Sequence, residues 1–240
     1  MDENTTRQIA KEMGWTITRG SMMACSSCAI GKAQQKNIKT KEQKEKSGKV
    51  HGQVYLDQSR LVSAMAECQP PRPYWRLIVD EKTGYKISNF YKTKSGMVTL
   101  TCELFQKWKM ETKPVELLRM DKAGENIKLV KTLNNNQWKL YPTIEWTARD
   151  TLQQNHLVEV RFATLYGRGQ AMMIEANVPE ELQHVVGQKA FETATKLDGL
   201  VPVSINKKIK SRVEHATGKL PPFADHLRKW GEVSIVKKNH

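Results

Sequence analysis

The sequence has few cysteines, no long apolar run and fewer acidic than basic residues. Four cysteines in 240 residues are too few for a disulfide scaffold, so a reduced intracellular protein, nuclear or cytoplasmic, is expected. No stretch approaches the roughly 18 apolar residues that a membrane span requires, and the N-terminus lacks the hydrophobic core of a signal peptide. These absences exclude the disulfide-rich secreted, membrane-spanning and collagenous classes, and no membrane partner is expected.

The excess of basic residues is the first positive feature. Lysine and arginine number 39 against 25 acids, which gives a formal net charge of +14 and a pI of about 9.6. A field of this sign attracts polyanions, meaning nucleic acid or an acidic surface. A solvated basic surface without a dedicated partner is the alternative. Charge therefore indicates a class of partner and says nothing about the fold.

Composition divides the chain at a lysine-rich stretch. Residues 32–49 hold seven lysines and a single large apolar residue, a composition that cannot bury a core and is typical of a linker. Residues 1–31 therefore form a separate N-terminal segment and residues 50–200 the folded core. Residues 201–240 are expected to be a basic, loosely packed extension. No internal repeat of 20 to 50 residues is present.

Apolar patterns beyond residue 50 predict a mixed α/β sheet that begins with a hairpin. A glycine-bearing loop ending at Gly84 separates the two hairpin strands, and Lys113-Pro114 ends the helix that follows them. Strands are predicted at 50–56, 74–79, 85–91, 115–120 and 141–146, and helices at 95–112, 125–133, 153–176 and 179–197.

Two aspartates directly follow predicted buried strands, and a glutamate lies on a helix. Asp57 follows VYL and Asp121 follows LLRM; the carboxyl ends of strands project into the crevice where α/β proteins place their chemistry. Glu159 falls in the early turns of the helix predicted at 153–176. Three carboxylates brought together would repel one another unless cations lay between them, and such hard ligands suit Mg²⁺ or Mn²⁺. Taken singly, each acid is better explained by a capping or solvated role.

Two segments resemble the integrase core of copia-type retrotransposon polyproteins. Residues 119–125 (RMDKAGE) are similar to the R-x-D-N-x-G-E segment of that family, and residues 151–161 to its T-P-Q-Q-N-G-x-x-E segment. The first acid of the family's D,D,E triad falls on Asp57 in VYLDQS. Between Asp121 and Glu159 lie 37 residues, close to the family's usual interval. The resemblance covers roughly residues 50 to 200.

The resemblance implies a ribonuclease-H-like α/β fold, a five-stranded mixed sheet flanked by helices. It implies a polynucleotidyl transferase that trims a DNA 3′ end and joins it to target DNA. Asp57, Asp121 and Glu159 would be the catalytic residues and would hold Mg²⁺ or Mn²⁺. The partners would be retroelement ends and target DNA, with a homo-oligomer as one possible state. Lys122 and Leu152 depart from the family's Asn and Pro, so a decayed fragment that only binds nucleic acid is the alternative.

The N-terminal segment resembles part of a zinc module. Cys25-x-x-Cys28 is similar to the second half of the His-His-Cys-Cys module that precedes the core in this family. Tetrahedral Zn²⁺ needs four ligands, and the first histidine of the chain, His51, lies downstream. Cys25 and Cys28 are thus an incomplete zinc site, and residues 1–31 are interpreted as a truncated remnant. Either the chain starts inside the module or the site has been lost.

Basic and amide side chains supply candidate DNA contacts, because phosphate contacts dominate affinity for duplex DNA. In the family, the loop before the catalytic helix approaches the DNA ends, which makes Gln153, Gln154 and Asn155 candidates; otherwise they are loop and capping residues. For each basic cluster the alternative is a solvated face. The basic candidates are residues 32–49, Arg149, Arg161, Arg168, Lys207, Lys208, Lys210 and Arg212.

Overall fold

A mixed five-stranded sheet forms the centre of the molecule. The computed structural model describes residues 3–16, 47–62, 69–111, 113–147 and 156–232. The strands of the sheet are β1 (Gln53–Arg60), β2 (Tyr74–Asp80), β3 (Lys86–Tyr91), β4 (Leu117–Asp121) and β5 (Thr143–Thr147). Their order is β3-β2-β1-β4-β5, with β2 antiparallel to both of its neighbours and β1, β4 and β5 parallel.

Helices cover both faces of this sheet. The helices are α1 (Glu3–Glu12), α2 (Met97–Met110), α3 (Gly124–Leu133), α4 (His156–Glu175), α5 (Glu180–Gly199) and α6 (Arg212–Thr217), with short 3-10 turns at Lys94–Gly96 and Pro222–His226. One apolar core joins the sheet to α2 and α3, and a second joins the opposite face to α4 and α5. Such a sheet between two helical layers is a ribonuclease-H-like α/β fold, which confirms the expected fold class.

The alternation of side chains in β1 decides which residues meet which helices. Val54 and Leu56 belong to the core beneath α2 and α3, whereas Tyr55 belongs to the core beneath α4 and α5. Because successive side chains of a strand point to opposite faces, Asp57 shares the face of Tyr55. The α4/α5 face therefore carries the candidate carboxylate of β1.

The predicted elements all form, with differences at their ends. β1 begins three residues later than expected and continues through Asp57 to Arg60, because it stays paired with β2 along its whole second half. The predicted catalytic helix starts at His156; residues 153–155 lie outside the described part of the chain. None of the helices described is long and apolar enough to cross a membrane.

The expectation of a loosely packed segment after residue 201 is wrong for residues 202–217. These residues form a hairpin of β6 (Pro202–Ile205) and β7 (Lys208–Ser211), followed directly by α6. The Ser211 hydroxyl caps α6 by accepting from the backbone N–H of Glu214 at 3.2 Å, and Gly218, with φ of 86°, ends it. Val213 is buried against the main body, and the many lysines of the segment conceal this packing in the sequence.

Candidate functional site

Asp57 and Asp121 lie level with each other on neighbouring strands. Tyr55 of β1 pairs with Arg119 of β4 in the parallel ladder. Two residues further along each strand the side chains return to the same face, which places Asp57 beside Asp121 on the α4/α5 face. Neighbouring strands are about 4.8 Å apart. The sheet thus brings together two acids that are far apart in the sequence.

The position of Asp57 differs from the expected one. It lies inside β1, not after it, since the strand runs on to Arg60. However, the parallel pairing with β4 covers only residues 53–55, and beyond it β1 is paired with β2 alone. Asp57 is therefore past the end of the parallel ladder, and Asp121 is the last residue of β4. Both aspartates therefore lie at the end of the ladder between these two strands.

Glu159 stands on the first turn of α4, the helix that packs on the same face. Its neighbour Val158 is fully buried in the core of that face, while Glu159 is exposed. The pKa of Asp57 rises to about 7, mainly because of burial; the backbone N–H of Gln58 opposes the rise and the negative charges of Asp121 and Glu159 add to it. Asp121 and Glu159 are thus each within electrostatic reach of Asp57.

The donors fit a divalent cation in part. Carboxylate oxygens are the hard ligands that Mg²⁺ and Mn²⁺ prefer, and a cation would relieve the repulsion between Asp57 and Asp121. Across the described residues, however, no three His, Cys, Asp or Glu side chains are grouped closely enough to hold a metal ion. The aspartate pair therefore fits a divalent cation, while Glu159 lies near the pair and does not complete a compact set of ligands.

Asn126 holds Asp121 in place, a role that the sequence analysis missed. The amide Nδ2 of Asn126 donates to Oδ1 of Asp121 at 2.5 Å and to its backbone carbonyl at 3.1 Å. Asn126 is 1% exposed, so this contact is shielded from water. An amide on the first turn of the helix that follows β4 is the signal that could have pointed to it.

The predicted DNA contacts occupy unlike environments. Lys207 and Lys208 are exposed at the turn of the β6–β7 hairpin. Arg161 is half-buried, and burial together with the charge of Arg212 lowers its pKa. Outside the described residues lie Cys25, Cys28, Arg149, Gln153, Gln154, Asn155 and residues 32–46 of the linker.

A buried ion cluster near the C-terminal end of α5 was also missed. Asp198, 2% exposed, accepts hydrogen bonds from Lys86 of β3 and Arg212 of α6, and from Arg168 of α4 at 2.6 Å. Burial alone would raise the pKa of Asp198, but these three cations hold it below its usual range. Arg168 and Arg212, predicted as DNA contacts, are therefore already engaged inside the fold.

Comparison with known proteins finds likeness only among solved structures. No protein-family model matches the sequence, and no curated protein matches it. A chain of the simian T-cell lymphotropic virus intasome in complex with PP2A regulatory subunit B56 gamma is 12% identical, with 82% of this chain and 63% of that chain covered and a TM-score of 0.48. This chain thus spans less than two thirds of that one.

The integrase catalytic core domain of HTLV-2 in complex with magnesium is similar as well. Its trimeric form is 14% identical over 70% of this chain and 98% of that chain, with a TM-score of 0.45. Its dimeric form gives 14% identity, coverage of 70% and 97%, and a TM-score of 0.45. At these identities the likeness is one of fold.

Proposed function

We propose that the chain is the core of a metal-dependent polynucleotidyl transferase of integrase type, of the copia-type retroelement class, that processes DNA 3′ ends and joins them to target DNA. The observation that carries the proposal is the placement of Asp57 and Asp121, level on neighbouring strands and facing the helix of Glu159. Carboxylates on one face can hold a divalent cation, and the cation can in turn bind a phosphodiester. The resemblance of residues 119–125 and 151–161 to the family supports the same assignment.

Each acid has its own task in this proposal. Asp57 and Asp121 hold the cation, and Asn126 fixes the orientation of the Asp121 carboxylate through its 2.5 Å hydrogen bond. Glu159, exposed at the start of α4, orients the attacking water or 3′ hydroxyl. A bound Mg²⁺ or Mn²⁺ would supply charge stabilisation for the phosphodiester oxygens. No covalent protein intermediate is required.

DNA is the proposed partner, and the proposed location is the nucleus or the cytoplasm. The net charge of +14 and the exposed lysines at 207 and 208 favour binding through phosphates. Affinity for duplex DNA should fall with salt at a log–log slope of roughly −0.9 per neutralised phosphate. Lys207→Gln and Lys208→Gln together should reduce the magnitude of this slope by about two if both lysines contact phosphates.

The activity test is Mn²⁺-dependent nicking of duplex DNA by the intact chain. Asp121→Asn and Glu159→Gln keep the shape of each side chain and remove its charge, so nicking should vanish in both while DNA binding stays within a few-fold. Glu192→Gln is the matched control, because Glu192 lies on α5 and its one ion pair among the described residues is with Lys189 at 2.8 Å. Persistent nicking in both site variants would remove these acids from the active site.

A second candidate function is DNA binding without catalysis, as expected of a decayed element. Two observations favour it: the described part of the chain has no group of three metal-ligating side chains, and Lys122 places a cation next to Asp121. The two functions separate in the same experiment. Salt-sensitive DNA binding with no metal-dependent nicking in the unmodified chain would select the second.

A further inference from the structure

Three basic side chains pair with one carboxylate, and a fourth interacts with them electrostatically, where the start of β3, the helices α4 and α5, and the β7–α6 junction meet. We name this group the Asp198 cluster; its members are Asp198, Lys86, Arg161, Arg168 and Arg212. Lys86 is 3% exposed and Asp198 2% exposed, so the centre of the cluster is shielded from water. The side chains of Arg168 and Arg212 remain 26% and 16% exposed, so its outer side is open.

The cluster has more positive charge than its single acid can neutralise. Asp198 forms ion pairs with Lys86, Arg168 and Arg212, and Arg161 adds its own charge beside them. Asp198 is the only carboxylate among the described residues that stabilises the charges of Lys86 and Arg161. Cations held away from water without matching anions are costly. The cluster therefore lacks negative charge.

Unused hydrogen-bond donors accompany this excess of charge. Within the described residues, Arg161 has no hydrogen bond or ion pair, although it is half-buried. The Nε of Arg212 is also buried and has no acceptor. The pKa of Lys86 falls to about 7 because of burial, with Asp198 opposing the fall and Arg212 and Arg161 deepening it. An anion that entered from the open side would meet the guanidinium of Arg161, which has no partner among the described residues.

We propose that the Asp198 cluster binds a phosphate group, carried either by the nucleic-acid backbone or by a small polyphosphate. Arginine donors match the several oxygens of a phosphate, and two or three arginines can share one such group. A phosphate brings one to two negative charges, which offsets part of the positive excess of the cluster. Arg161 and the exposed parts of the Arg168 and Arg212 side chains provide the new hydrogen bonds, while Lys86 adds positive charge from the buried side.

This site is distinct from the carboxylates that hold the proposed cation. Arg161 follows Glu159 by two residues on α4, which turns it roughly 200° around the helix, so the two side chains leave different sides of α4. Phosphate binding here needs neither a metal nor catalysis. Phosphate binding can therefore be absent while nicking is present, and nicking can be absent while phosphate binding is present, so the two proposals fail separately.

The first test is thermal unfolding of the full chain with sodium tripolyphosphate in metal-free buffer, against sodium chloride of equal ionic strength. We expect tripolyphosphate to raise Tm by about 3–6 °C at a concentration some ten times its Kd. Arg161→Gln should abolish most of this rise, and because Arg161 has no partner to lose, the variant should fold. Arg228→Gln, an exposed arginine, is the matched control and should keep the full rise.

A second arm identifies the source of the phosphate. If the DNA backbone supplies it, Arg161→Gln should also lower the magnitude of the salt slope for duplex binding by about one. If a small polyphosphate supplies it, the slope should stay unchanged while the tripolyphosphate response is lost. The proposal is overturned if tripolyphosphate leaves the Tm of the unmodified chain unchanged, or if Arg161→Gln and Arg228→Gln respond equally.

Discussion

On the face of the sheet beneath α2 and α3, two buried ionisable side chains are either neutral or hydrogen-bonded to uncharged oxygens, although the Nε of Arg76 has no hydrogen-bond partner among the described residues. His51 stacks on Trp108 with ring centroids 3.8 Å apart, and burial together with Lys113 lowers its pKa to about 4, so it carries no charge at neutral pH. Arg76 donates to Asn89 at 2.5 Å, to the carbonyl of Met97 and to the hydroxyl of Thr101. Charge on this face serves packing alone.

On the face beneath α4 and α5, by contrast, charged side chains lie next to an excess of charge of one sign. Asp57 is surrounded by further negative charge, and Asp198 is outnumbered by cations. Both arrangements cost folding free energy that an added ion of opposite sign would recover: a cation at Asp57, an anion beside Asp198. The difference between the faces indicates where ligands belong, and it can be tested one residue at a time.

The largest effect is expected from removing the acid of the Asp198 cluster. Asp198→Asn keeps the shape of the side chain but leaves the buried Lys86 and the partly buried Arg168 and Arg212 without a counter-charge. We expect the free energy of unfolding to fall by about 3–5 kcal/mol, measured by urea denaturation. Glu192→Gln, which removes an exposed ion pair, should cost less than about 1 kcal/mol. Equal stability of the two variants would show that the cluster does not depend on Asp198 for its charge balance.

The second effect is a pH dependence on the opposite face. Histidine in the unfolded chain takes up a proton near pH 6.5, but folded His51 does so only near pH 4. Between these values the unfolded state binds more protons, so stability falls as the pH drops through this window. His51→Phe keeps an aromatic ring against Trp108 and removes the titration. Between pH 7 and pH 4 it should lose about 3 kcal/mol less stability than the unmodified chain.

The control for this experiment is another histidine. His226 is exposed, so His226→Phe should follow the pH profile of the unmodified chain. Acids that titrate in the same range, Asp57 among them, are present in all three proteins and cancel in the difference. A profile of His51→Phe that superimposes on the unmodified one would mean that His51 takes up its proton at the same pH in the folded and the unfolded chain.

Local sequence patterns were sufficient for part of the site. An aspartate after a buried apolar run and a glutamate on the following long helix are visible in the chain, and Asp121 and Glu159 lie on β4 and α4 as expected. The continuation of β1 through Asp57 was not visible, because it depends on pairing with β2, a strand that begins 17 residues later. The local propensity of the residues around Asp57 contains no information about a strand that pairs from so far along the chain.

The Asp198 cluster shows a stronger form of the same limit. Lys86 and Asp198 are 112 residues apart, and each taken alone resembles an ordinary surface residue on a strand or helix. Arg168 and Arg212 were accordingly assigned to the DNA-binding surface from their charge. These residue types usually lie on the surface. Here the packing of α4, α5 and β3 buries them, and they form an interior cluster. A lysine at the start of a strand carries no sequence signal for this.

The smallest and most revealing effect concerns Asp57. Asp57→Asn removes one of the charges that repel Asp121 and Glu159. In the unmodified chain Asp57 accepts a hydrogen bond from the backbone N–H of Gln58 at 2.7 Å, and the amide oxygen of the variant can accept the same bond. In metal-free buffer the free energy of unfolding should therefore rise, by about 1 kcal/mol or less, although nicking is lost. Asp225→Asn, an exposed acid away from the sheet, should leave both unchanged. A residue that destabilises the fold and yet is needed for activity is typical of a functional site. If Asp57→Asn instead lowered stability, Asp57 would have a favourable partner in the folded chain, and the contrast between the two faces of the sheet would fail at its central residue.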